Sequence, residues 1–270
     1  MGYYSKPKDI SALEAKLEAQ KIAFSPIAFQ AVMTLLRTGV LELISEAGEQ
    51  GISATQLSSK SKITEYGIKV LIDMAASMGV VWIKDNNNYV IDKTGHFLVN
   101  DRLTLANINF VQDVCYQGMF HLEEAIRKGE PSGLKVFGEW PTIYPALTSL
   151  PDEVKKSWFE FDHFYSDHSF PEVLPHVFED GPECILDVGG NTGKWTLACL
   201  KYNSTVKLAI MDLPQQLEVL QKNIESEGLL NRVEVKPTDL LSPHAEFYEG
   251  ADVIWMSQFL DCFSEEQILQ

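Results

Sequence analysis

Residues 185–200 read ILDVGGNTGKWTLACL. Ile185 to Val188 form an apolar run broken only by Asp187. Gly189, Gly190 and Gly193 then mark a turn, and an amphipathic stretch follows to Leu200. A buried strand that runs into a glycine turn and then a helix opens a βα unit. The unit repeats downstream. "VKLAIMDLP" reads as a second strand ending in Asp212, and "QQLEVLQKNIESEGL" as a second helix. "RVEVKPTDLL" is a third strand and "ADVIWMSQFLD" a fourth. Strands alternating with helices predict an α/β, Rossmann-like, doubly wound sheet, whose ligands bind beyond the carboxyl ends of the strands.

The turn narrows the ligand. The dinucleotide fingerprint GxGxxG fails, because Asn191 takes the place of its second glycine. The pattern is D-x-G-x-N-x-G, beginning at Asp187. An acid before the turn disfavours a pyrophosphate and suits a cation. Glycines at 189, 190 and 193 allow close backbone approach and positive φ, and asparagine tolerates the left-handed region better than most residues. Asp212, at the next strand end, is placed to take both hydroxyls of a ribose. Asp239, after the third strand, is placed to face an adenine amino group. A nucleoside that bears a cation and no phosphate satisfies all three acids, and S-adenosyl-L-methionine is such a ligand.

The protein has 270 residues, 45% of them apolar, and a net charge of −16. Residues 1–100 carry ten basic and ten acidic side chains, so the whole excess of acid lies in residues 101–270. An acidic chain repels phosphate polymers and anionic membranes, which argues against nucleic-acid and membrane partners. No apolar run approaches the length of a membrane span, and "MGYYSKPKDIS" lacks the apolar core of a signal peptide. Cys115, Cys184, Cys199 and Cys262 form no CxxC pair, as expected of reduced thiols in a cytoplasmic protein.

Residues 1–110 have the order helix, helix, helix, hairpin of a winged helix. In the first helix Phe29, Val32, Met33 and Leu36 share a face, with Gly39 as the stop. Ser53 and Gln56 have capping-box spacing, and Thr64 caps a helix whose Ile68, Leu71, Ile72 and Ala75 line one face. Asn86, Asn87 and Asn88 turn the hairpin. The candidate recognition helix carries Glu65, Lys69 and Asp73, not the basic face of a DNA reader. Dimerisation is the better reading, and a homodimer is expected.

Residues 111–182 read as a helical linker and substrate-pocket segment. Asp152 is placed to cap its main helix, along which Trp158, Phe161, Phe164, Tyr165 and His168 recur near helical spacing. Such a stripe suits a core or a pocket wall. His163 and Asp167 are four apart and share a helix face, but no further ligands for a metal stand nearby. No metal is expected.

The stretches "LDVGGNTG", "IMDLPQQLE", "NRVEVKPTDLL" and "FLDCFSEEQ", together with the region from "GISATQLSSKS" to "YVIDKTGHFL", carry a specific resemblance. The chain resembles the S-adenosylmethionine-dependent O-methyltransferases that have an N-terminal winged-helix dimerisation domain, of the plant caffeate and flavonoid and bacterial polyketide type. The resemblance implies methyl transfer, without metal, from S-adenosyl-L-methionine to a small acceptor, usually a hydroxyl, by a homodimer. It implies that Gly189, Gly190 and Gly193 hold the methionine part, Asp212 and Leu213 the ribose, and Asp239 and Leu240 the adenine. Ser169 falls at a cofactor-contacting serine and Tyr165 at a substrate-packing methionine.

The chain also departs from that pattern. The resemblance implies a catalytic stretch close to LHDWSDEE, whereas residues 260–267 are LDCFSEEQ. Asp261 stands at the histidine position, Phe263 at the tryptophan and Ser257 at a lysine of the donor site. Asp261 then has three readings: a desolvated base aided by His163 or His168, a grip for a cationic amine, or a bystander. An enzyme is the leading expectation; a donor-binding regulator or scaffold is the alternative from another class. Residues 183–270 are expected to form the donor-binding domain, C-terminally incomplete, since the chain stops at Gln270 inside the helix after the fourth strand.

Overall fold

In the computed structural model the described residues are 7–140, 142–143, 146 and 149–269. The chain divides into two compact units, Met1–Ile108 and Asn109–Gln270.

The first unit opens with α1 (Ala12–Arg37), whose start is fixed by a capping box between Ser11 and Glu14. Gly39, at φ +71°, turns the chain into α2 (Val40–Glu46). The second capping box is present as expected: the Gln56 N–H donates to Ser53 Oγ at 3.3 Å and the Ser53 N–H to Gln56 Oε1 at 3.0 Å. It starts α3 (Ala54–Ser61), and the Thr64 hydroxyl caps α4 (Glu65–Ser77) by accepting from the Gly67 N–H at 3.1 Å. The hairpin pairs β1 (Val81–Ile83) with β2 (Tyr89–Ile91) around Asn87, at φ +60°. Helices α5 (Lys93–Asn100) and α6 (Arg102–Phe110) follow. Leu35, Leu41, Ile44, Leu57, Ile68 and Ile72 are fully buried in one core. Val32 and Met33 of α1 are buried, whereas Leu13, Leu17, Ile22, Phe24 and Ile27 on its N-terminal half are more than half exposed.

The second unit contains α7 (Leu122–Lys128), α8 (Asp152–Asp167) and α9 (Phe170–Val177), then the α/β layer. That layer runs β3 (Cys184–Val188), α10 (Lys194–Tyr202), β4 (Lys207–Asp212), α11 (Pro214–Ser226), β5 (Val233–Pro237), β6 (Val253–Trp255) and α12 (Glu265–Leu269). The strands are parallel in the order β5-β4-β3-β6. The chain therefore steps outward from β3 to β5 and returns to the other side of β3. Strand order reverses between β3 and β6, which opens a crevice at their carboxyl ends. Alternation along the strands supplies both faces with apolar groups. Ile185, Leu208 and Ile210 pack with Leu217, Leu220 and Ile224 of α11. Leu186, Val188, Ala209 and Met211 pack with Phe259 on the opposite face.

Asp152 does not cap α8. Pro151 precedes the helix, and Asp152 lies in the first turn, where its carboxylate faces the helix dipole favourably and pairs with Lys155 at 3.0 Å. Among the described residues no single helix is long and apolar enough to cross a membrane; α1 and α2 meet that test only as a pair bent by 67°.

Candidate active site

A cavity of about 920 Å³ lies within the second unit at the carboxyl ends of β3, β4 and β6. Its walls include Gly189, Gly190, Asn191 and Thr192 of the turn, Asp212 at the end of β4, and Ser257 and Asp261 after β6. The opposite wall is one face of α8, with Trp158, Phe161 and Asp162 at i, i+3 and i+4, backed by Phe110. The rings of Phe110 and Phe161 stack with centroids 4.0 Å apart. A cavity of this volume, largely apolar with a few convergent polar groups, suits a cofactor together with a small molecule.

The glycines of the turn answer to the protein around them. A Cβ on Gly189, whose φ is +75°, would stand 2.4 Å from Cδ2 of Phe259. On Gly190 it would stand 2.6 Å from Ile210 and 2.9 Å from Leu220. The turn is thus pressed between Phe259 and α11. Asn191 adopts φ +51°, the left-handed conformation anticipated for it. Asp212, only 5% exposed, accepts the Asn191 N–H at 2.9 Å on one oxygen and the Leu213 N–H at 2.7 Å on the other. Burial raises its pKa, and the two N–H donors oppose that rise.

Asp187 is also buried. Its carboxyl accepts from the Thr196 hydroxyl at 2.8 Å, and burial pushes its pKa up to about 7. It lines the floor of the cavity with two tryptophans, Trp195 and Trp255, which stack with centroids 4.0 Å apart. Their indole N–H groups and the Asn191 side-chain oxygen are buried with no hydrogen-bond partner among the described residues. Orphaned buried polar atoms in a cavity wall are positions for polar groups of a ligand or for water.

Helix α8 is tied to the turn by three polar links. The Asn191 side-chain amide donates to Asp162 at 3.0 Å, His163 Nε2 lies 3.2 Å from the Thr192 hydroxyl, and Lys194 pairs with Asp167. Burial lowers the pKa of His163, with Lys194 acting in the same direction. Its Nδ1 lies 3.6 Å from Asp167, so both ring nitrogens have neighbours already. Burial raises the Asp162 carboxyl to about 6.

Sequence-predicted residues divide accordingly. The cavity wall brings together Asp187, Gly189, Gly190, Asp212, Ser257, Asp261 and His163. Gly193 stands just behind the turn, at φ +82°, as the N-cap of α10. Leu213 and Leu240 are not in the cavity wall. Neither is Asp239, whose carboxyl accepts from the Leu241 N–H at 3.0 Å. Tyr165 is 47% exposed and packs on Phe161, while the His168 ring donates to the Phe164 carbonyl at 2.8 Å. The Ser169 hydroxyl donates to the Ser166 carbonyl at 2.7 Å. Tyr165, His168 and Ser169 lie outside the cavity wall. Asp162, Asn191, Trp195 and Trp255 were not read as site residues from sequence. Among the described residues no group of three or more His, Cys, Asp or Glu could hold a metal ion.

Asp261 falls in a short 3-10 turn, Leu260–Cys262, beyond the end of β6. It does not cap the next helix. Ser264 does, accepting the Gln267 N–H at 3.3 Å, with Gln267 returning its side-chain oxygen to the Ser264 N–H at 2.9 Å. Asp261→Asn is therefore expected to leave thermal stability unchanged, which thermal melts check.

Comparison with known proteins agrees with the geometry. Residues 16–89 match the Dimerisation2-like domain. At 18% identity and a TM-score of 0.72, the chain superposes on the mitomycin 7-O-methyltransferase MmcR over 95% of its own length and 74% of that chain. The S-adenosylmethionine-dependent methyltransferase SibL gives a TM-score of 0.68 at 24% identity, over 92% of this chain and 72% of that one. The chain has the methyltransferase fold. In this fold β3 leads into the turn at 189–193 and β4 ends at Asp212. L-tyrosine C(3)-methyltransferase of Streptomyces lavendulae is 22% identical over 91% of this chain and 67% of its own length. The chain spans 60% to 67% of the length of the curated relatives it matches. These relatives are methyltransferases of both oxygen and carbon, among them caffeic acid 3-O-methyltransferase of Medicago sativa.

Proposed function

We propose that the protein transfers a methyl group from S-adenosyl-L-methionine to a small aromatic acceptor. The observation behind this reading is the cavity at the β3/β6 switch point, with a strand-end carboxylate on one wall and an aromatic helix face on the other. The residues present fit the donor. Three buried polar atoms, on Asn191, Trp195 and Trp255, have no hydrogen-bond partner among the described residues. Each Asp212 oxygen accepts one N–H and retains a lone pair for a ribose hydroxyl. Asp212 would hold the ribose, and the turn from Gly189 to Thr192 would border the amino-acid portion. The donor, when bound, supplies an electrophilic methyl.

Everything else is the work of this chain's residues. Phe110, Trp158 and Phe161 present flat apolar surface to an aromatic ring, which favours offset or edge contacts. Enclosure by these rings keeps water from the acceptor and fixes its orientation, and orientation is a large part of the barrier in a displacement. Relatives named for oxygen and for carbon methylation support a phenolic acceptor, since loss of its proton activates both the oxygen and the ring carbons beside it. Incubation with labelled donor and a panel of phenols, amines and carboxylates tests the reading. Label in a phenol supports it, and label in amines alone contradicts it.

The protein is further proposed to be a cytoplasmic homodimer built largely on its first unit. All four cysteines are unpaired, in keeping with a reducing compartment. The exposed apolar residues from Leu13 to Ile27 on α1 make a surface that a partner subunit would cover. Light scattering at micromolar concentration is expected to give twice the chain mass, and Ile22→Glu with Phe24→Glu to give the monomer. A monomeric wild type contradicts the assembly.

A further inference from the structure

The proposed methyl transfer needs a group that takes the acceptor's proton, and Asp261 is exposed at the rim of the cavity. A second carboxylate is better sited. Asp162 follows Phe161 on the cavity face of α8, so an acceptor ring resting on the aromatic wall brings its substituents toward Asp162. The Asn191 amide donates to one of its oxygens at 3.0 Å, and no described residue donates to the other. Asn191 is fixed in turn: its N–H donates to Asp212 at 2.9 Å and its φ is +51°.

From this geometry we propose that Asp162 accepts the proton of a phenolic methyl acceptor, and that Asn191 is the positioning residue that aims and tunes it. The inference rests on the methyltransferase reading. In the step proposed, the acceptor O–H bond breaks, the proton passes to the unpartnered oxygen of Asp162, and the acceptor oxygen keeps the electron pair. The proton then leaves to solvent. The carboxyl becomes neutral on gaining the proton, and the Asn191 amide remains donated to its other oxygen.

The surroundings favour this role. Burial raises Asp162 to about 6, with Asp167 on its own helix and Asp261 after β6 adding to the rise. The Asn191 hydrogen bond and Lys194 of α10 oppose it. His163, beside it in sequence, is held by burial toward its neutral form and faces Thr192. Cys262 is raised to about 11 and stays a thiol. Asp167 already pairs with Lys194. Asp162 is thus a base matched to neutral pH, as general-base catalysis requires.

Two measurements test it. In the ligand-free protein, infrared difference titration should show a carboxyl changing near pH 6 that disappears in Asp162→Asn. In Asn191→Gly it should move upward by about one pH unit, because a hydrogen bond to the charged form is lost. With a phenolic acceptor, Asp162→Asn should lower kcat/KM about a hundredfold, and Asn191→Gly should move the acidic limb of the pH profile upward in step with the titration. Affinity for S-adenosyl-L-homocysteine should hold within about threefold in Asp162→Asn. Transfer by Asp162→Asn within threefold of wild type overturns the proposal. So does an unchanged titration, or a loss of product affinity parallel to the loss of transfer. Failure of the wild type to bind S-adenosyl-L-homocysteine would instead overturn the methyltransferase reading, and that outcome is separate from all of these.

Discussion

Replacing Asp212 by alanine is expected to weaken the binding of S-adenosyl-L-homocysteine about a hundredfold. Each hydrogen bond between a carboxylate and a ligand hydroxyl contributes about 1.5–3 kcal/mol. Loss of both corresponds to about 3 kcal/mol or more, which is at least two decades of affinity. The substitution also strips the Asn191 N–H of its acceptor, so the turn loses the anchor that holds it against β4. Asp212→Asn separates these effects. It keeps an oxygen for one donor and is expected to lose only about tenfold, because one acceptor remains but the charge is gone. Trp195 and Trp255 line the cavity, so titration followed by their fluorescence reads the affinity directly. Equal affinity in wild type and Asp212→Ala would remove Asp212 from the ribose.

The second large effect is on stability. Gly189→Ala would place a Cβ 2.4 Å from the Phe259 ring, at a φ of +75°. Overpacking costs about 1–3 kcal/mol and a left-handed alanine about 1–2 kcal/mol. Phe259 is 7% exposed and packed among Leu186, Val188, Ala209 and Met211, so its ring has little room to retreat. A total of about 2–5 kcal/mol predicts a fall in Tm of roughly 4–20 °C. The double variant Gly189→Ala with Phe259→Ala is expected to cost less than the sum of its parts, because the clash needs both partners. A Tm within about 1 °C of wild type for Gly189→Ala would show that the turn is not pressed against Phe259.

Much of this was legible in the sequence because it is local. The capping box at Ser53, the hairpin turn at Asn87 and the left-handed Asn191 depend on residues within a few positions, and continuous apolar runs mark β3 and β4. The site was legible only where it lies on strand ends. Asp212 reaches the cavity because β4 stops there. Asp239 was read as ending the third strand, but β5 stops at Pro237, and its carboxyl turns back to the chain. Asp187 lines the cavity, and one of its oxygens accepts from Thr196, nine residues on, which the turn folds back over it. Tyr165 and Ser169 came from family resemblance; Tyr165, seven residues after Trp158, lies on the same stripe of α8 but packs on Phe161 and stays 47% exposed, outside the cavity wall. Asp162 could not be read at all. The role proposed for it depends on Asn191, 29 residues away, and on the docking of α8 against the turn.

Calorimetric titration of the full chain with S-adenosyl-L-homocysteine is expected to show saturable binding, one ligand per chain, abolished or weakened about a hundredfold by Asp212→Ala and retained by Asp162→Asn. No binding to a folded wild-type chain at about millimolar ligand, or binding indifferent to Asp212, would contradict it.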